Sequence, residues 1–132
     1  MQTTKIKIKM LALSPVVLQI GIGLVVVWFG LQQINDPESW VGYLPSFIKN
    51  LPISEINFVY LNGYFELIFG SLLMVGFYTR IVSFLLALHM AGIVYSLGYN
   101  EISVRDFGIF IALLAIFLHG KSDCDWARSE PT

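Results

Sequence analysis

Glu66 and His89 are ionisable residues set in otherwise apolar sequence. Around Glu66, residues 58–78 are apolar, aromatic or glycine apart from Asn62 and Ser71. Around His89, residues 81–97 are interrupted only by Ser83 and Ser96. Each stretch is long enough to cross a bilayer as a helix. The segment GFYTR at 76–80 reads as the turn between them. Glu66 precedes that turn by about as many residues as His89 follows it. A helical hairpin would therefore bring both to one depth near the membrane midplane. Intramembrane carboxyl and imidazole groups are costly there and mark a functional site by default. Together they can donate and accept hydrogen bonds and exchange a proton with a bound group. The expectation is a hydrogen-bonded couple able to pass a proton outward, through Asn62 or water, toward Asp106. The bland alternative is that the pair only ties the hairpin together.

Four elements must position these residues. Helix 1 is expected at about 14–34, with Ser14 as its cap and Pro15 in the first turn. Gln19, Gly23, Gly30 and Gln33 form one stripe along it, suited to close packing and interhelical hydrogen bonds. Gln33 serves either that packing or a ligand. Residues 35–55 carry Pro37, Pro45 and Pro52 with Trp40, Tyr43 and Phe47 between. They read as an interfacial loop, either an anchor or a lid over the bundle mouth. Helix 2 is expected at 56–78, with Asn62, Gly63, Glu66 and Gly70 on its inward face. Helix 3, at 79–97, presents Val82, Leu85, His89, Gly92 and Ser96, with Arg80 snorkelling at the membrane edge. Helix 4 is expected at 104–120. Ser103 and Asp106 resemble a capping box at its start, although Asp106 and Arg105 are also candidates for the site. Gly108, Ala112, Ala115 and His119 form a stripe for close packing. A polar tail, 121–132, follows.

The composition agrees. The chain has 132 residues, 56% hydrophobic and only 13% charged, against about 25% charged in soluble domains. Its mean hydropathy is +0.72. The expectation is one all-α domain, an integral membrane antiparallel four-helix bundle. A net charge of −1 gives no signal for nucleic acid. Cys124 is the lone cysteine, so an internal disulfide and a CxxC relay are excluded; it is a plain tail residue or a reactive thiol. One histidine and one carboxylate fall short of a zinc ligand set. Six of the eight Lys and Arg residues lie at the termini and the Arg80 turn, against Lys49 and Arg105 in the other loops. The positive-inside rule then makes this a multi-pass cell-membrane protein with both termini cytoplasmic.

Several stretches resemble the DoxX family of small four-helix membrane proteins. They are FELIFGSLLMVGFYTR at 65–80, VWFGLQQ at 27–33, NEISVRD at 100–106 and the terminal Gly120. The resemblance spans Leu18 to about Gly120. Two positions depart from it: Gln19 and Gln33 stand where the family often has an arginine and a lysine. The resemblance implies a role beside membrane redox enzymes. Relatives include a subunit of an archaeal thiosulfate:quinone oxidoreductase and members of oxidative-stress assemblies with superoxide dismutase and a sulfurtransferase.

Three functions follow as alternatives. The first is a membrane subunit or anchor of a quinone-linked oxidoreductase, with a quinone as candidate ligand and electrons supplied by a soluble or membrane partner. No heme, flavin or metal motif is present in the sequence. The second is a non-catalytic binder or carrier of a small apolar ligand or lipid, and the third is purely structural. Glu66, His89, Asn62, Gln33, Asp106 and Arg105 are the ligand-binding candidates. Besides the lipid bilayer, a second copy of the chain is a candidate partner.

Overall fold

The computed structural model describes residues 1–120. The tail at 121–132, with Cys124, lies outside the described residues. The fold is all-α: α1 (Gln2–Asn35), a single turn α2 (Glu38–Val41), a 3-10 turn (Ser46–Asn50), α3 (Glu55–Val75), α4 (Thr79–Leu97) and α5 (Glu101–His119). Four of these, α1, α3, α4 and α5, are long and apolar enough to cross a membrane. They pack as an antiparallel bundle. Large apolar side chains such as Leu24, Trp28, Leu61, Ile68 and Leu118 are exposed on its outside, where lipid would cover them.

The bundle consists of two close pairs. α1 lies against α3 along a glycine seam, and α4 lies against α5 through Val82, Leu86, Ala87 and Met90 facing Ile109, Leu113 and Ile116. A Cβ at Gly30 would stand 2.7 Å from Gly63 O, and one at Gly23 would stand 2.9 Å from Gly70 O. The backbones touch there, which is how helices gain dispersion contact when lipid supplies no hydrophobic drive. The α3–α4 hairpin, by contrast, packs loosely and joins one pair to the other. The small-residue face of α3 is turned to α1, so α4 meets α3 mainly through larger side chains.

Three expectations are corrected first. α1 starts at Gln2, not near Ser14, and continues through Pro15. Its 34 residues span about 51 Å at ~1.5 Å each. Gln19 sits level with the α3–α4 turn, donating to Leu73 O at 2.8 Å and Thr79 Oγ1 at 3.3 Å. The exposed residues 1–14 therefore overhang the bundle. Second, α5 begins at Glu101, and Asn100 caps it by accepting from Ser103 N at 2.9 Å. Asp106 takes no part in that cap, and Ser103 Oγ is buried without a hydrogen-bond partner among the described residues. Third, Gly108 and Ala115 face outward; Ile109, Leu113 and Ile116 fill the interface instead.

Local signals explain the remaining ends. Ser54 caps α3 by accepting from Asn57 N at 3.2 Å. Gly76, at φ +82°, ends it after Val75, short of the expected residue 78, with Phe77 N and Gly76 N returning to Leu72 O and Leu73 O. Arg80 lies with its guanidinium 5.5 Å from the Phe117 ring centre and beside Gly120, at the turn end of the α4–α5 pair.

Candidate functional site

Glu66 is 2% exposed, yet both its carboxylate oxygens are occupied. Gln33 Nε2 donates to Oε2 at 2.7 Å. Asn62 Nδ2 donates to Gln33 Oε1 at 2.6 Å and lies 3.3 Å from Glu66 Oε1. His89 Nε2 meets that same Oε1 at 3.1 Å. Three helices supply this network: α1 gives Gln33, α3 gives Asn62 and Glu66, α4 gives His89. Asn62 and Glu66 are one helical turn apart, so they project together. The His89 ring packs against Phe65 with ring centres 4.7 Å apart and planes tilted by 42°. A buried carboxylate without partners is costly, and these donors offset that cost.

A cavity of about 320 Å³ adjoins the network. Gln33, Asn62, Glu66 and His89 form one polar patch in its wall. Arg105 and Asp106 of α5 form another. Arg105 Nε donates to Asp106 Oδ1 at 3.1 Å, and its guanidinium stacks 4.5 Å from the Phe29 ring centre. The rest of the wall is largely aromatic and aliphatic, including Phe29, Phe58, Met90 and Ile93. The loop between α1 and α3 covers the mouth. Ile48 of the 3-10 turn is 1% exposed and plugs into the bundle. Trp40 sits edge-on to Phe29 at 5.9 Å, with Tyr43 beside it. On α4, Gly92 and Ser96 line the cavity while remaining exposed, so the rim there opens sideways.

All six candidate residues thus lie on one cavity wall, in two patches. A model of the DoxX family matches residues 14–98. The chain belongs to the DoxX family. Comparison with curated proteins and with solved structures gives no match. The matched residues of this DoxX protein hold the Glu66–His89 network, the glycine seam and the lid; α5, with Arg105 and Asp106, lies beyond them.

The DoxX chain also uses residues that the sequence pattern did not single out. Phe65 packs against His89, and its place directly before Glu66 was the available signal. Phe29, Phe58, Met90 and Ile93 were indistinguishable from lipid-facing residues of the same type. Gln19 is not at the cavity. It sits at the turn end with Thr79, near a much smaller space of about 20 Å³ that His119 also lines.

Proposed function

We propose that this DoxX protein is a membrane subunit of a quinone-linked oxidoreductase assembly. Its lid-covered cavity receives a small, mostly apolar molecule whose hydrogen-bonding head meets Glu66 and His89. One observation carries this reading: an apolar cavity converges on a buried carboxylate whose partner, His89, has a side chain 20% exposed at the cavity. A head-group oxygen needs a donor, and proton exchange needs an acid–base pair; this couple supplies both. Electrons come from a partner protein. The sideways rim at Gly92 and Ser96 suits a ligand dissolved in the bilayer. Mass spectrometry of small molecules retained in mild detergent tests the proposal. Wild-type protein should retain a quinone, and Glu66→Gln should lose it or lose partner activity while inserting and purifying normally. Retention of no quinone by wild type would remove this reading. The same rim supports a second reading, a non-catalytic carrier of an apolar molecule or lipid. That reading gains if lipid, and no quinone, is recovered.

A further inference from the structure

The groups around Glu66 leave one position for an acidic proton. Asn62 Nδ2 donates to Gln33 Oε1 at 2.6 Å, which uses the carbonyl end of that amide. Gln33 therefore turns its Nε2 to Glu66 Oε2, at 2.7 Å. Both carboxyl oxygens accept from an amide, but Oε2 takes the short bond and Oε1 only the 3.3 Å bond from Asn62 Nδ2, so the weaker acceptor, Oε1, is the one that carries the proton. Turning both amides round would set the Asn62 oxygen against Glu66 Oε1, where its nitrogen now stands at 3.3 Å. A proton on Glu66 thus sits on Oε1, facing His89 Nε2 at 3.1 Å. The other ring nitrogen of His89, Nδ1, has no hydrogen-bond partner among the described residues, and the ring lines the cavity.

We infer that Gln33 and Asn62 are positioning residues that confine the Glu66 proton to Oε1, making Glu66 and His89 a one-proton relay that ends at His89 Nδ1. The inference rests on the binding role proposed above and specifies the chemistry of the head group. In one state Oε1 carries the proton, Nε2 accepts it in a hydrogen bond, and Nδ1–H donates into the cavity. In the other, Oε1 is ionised, Nε2–H donates to it, and Nδ1 presents a lone pair. Between the states, the Nδ1 proton passes to the occupant and the Oε1 proton moves to Nε2. The carboxyl becomes a carboxylate, and the imidazole stays neutral with its tautomer exchanged. The occupant's oxygen gains one proton, and two electrons from the partner oxidoreductase make it a hydroxyl, the second oxygen of a quinone taking its own proton from water. The head group that suits both states alternates between carbonyl and hydroxyl. A fixed acceptor such as an ester engages only one.

Nitrogen-15 spectroscopy of His-labelled protein in mild detergent tests this, because protonated and unprotonated ring nitrogens resonate apart. In Glu66→Gln, Gln33 still donates to position 66. The new amide must turn its carbonyl to Gln33 and its NH2 to His89, giving up the longer Asn62 contact. His89 should then be locked as the Nδ1–H tautomer. An Nε2–H tautomer in that variant would overturn the inference. Adding Gln33→Met removes the donor at similar volume and should release the lock to a mixture of tautomers. A lock that persists in the double variant would overturn the positioning role. The third arm needs no variant: a decyl-substituted benzoquinone added to wild type should move the Nδ1 resonance. Binding that leaves Nδ1 unmoved overturns the relay and spares the binding role. Absence of binding overturns the binding role, and the tautomer arms still decide the positioning of the proton.

Discussion

Replacing Glu66 separates its hydrogen bonding from its charge. Glu66→Gln keeps a group of the same shape that can satisfy Gln33 and His89, so the fold should persist. Glu66→Leu leaves Gln33 and His89 without their common acceptor, and it should cost about 1–3 kcal/mol. Denaturant titration in detergent micelles reads the difference between the two variants; equal stabilities would show that the network contributes nothing to the fold. Ser103 gives the opposite case. Its hydroxyl is buried and unpartnered among the described residues, so the native residue already carries a desolvation penalty. Ser103→Ala should leave stability unchanged or raise it. A marked loss in the same titration would mean that the hydroxyl is satisfied in the membrane.

Between elements, the glycine seam and the lid make distinct predictions. Gly30→Ala places a Cβ 2.7 Å from Gly63 O, and backbone cannot swing aside as a side chain would. The α1–α3 pair must separate, at roughly 1–3 kcal/mol for overpacking. Gly108→Ala meets nothing within 4 Å and should be neutral or stabilising. Thermal melting of the two variants side by side checks this, and equal losses would refute the seam. For the lid, Ile48→Ala removes the plug and should destabilise by about 2–5 kcal/mol if the lid unfolds with the bundle. If the lid opens alone, the melt will hold while a cysteine at Phe47 becomes more readily labelled. Neither change would mean that Ile48 does not hold the loop.

For the whole molecule, the charge distribution gives an expected orientation. Lys5, Lys7 and Lys9 lie on the overhang of α1, and Arg80 lies at the same end of the bundle. The lid end carries Lys49 and Arg105. The expected topology puts the overhang and the α3–α4 turn in the cytoplasm and opens the cavity toward the opposite face. Cysteines introduced at residues 3 and 78 should be protected from an impermeant reagent in intact cells, and one at residue 47 should be labelled. Labelling at residue 3 or 78 would invert the scheme.

The all-α class and the four spans were legible because a bilayer demands long apolar helices, whatever their neighbours. The shared depth of Glu66 and His89 was legible for the same reason: rise per residue converts sequence distance into depth. The ends were legible only where one local signal stood alone. Gly76 is a left-handed stop, yet the apolar pattern continues to Tyr78 and hid it. Pro15 fits a helix start, and nothing local showed that the helix runs on from Gln2. Asn100 and Ser103 compete for one cap, and the backbone chose Asn100. Which faces meet was left to the tertiary structure. The glycines of α1 and α3 found each other because their seven-residue spacings match in antiparallel register. The small residues of α5 had no such counterpart and turned to the outside. Gln33 met Glu66 only because that seam brings α1 to α3, and the cavity exists because the two tight pairs do not close on each other. Periodicity within one helix reports which residues share a face, while the neighbour and the unfilled space depend on side-chain shapes from several helices at once.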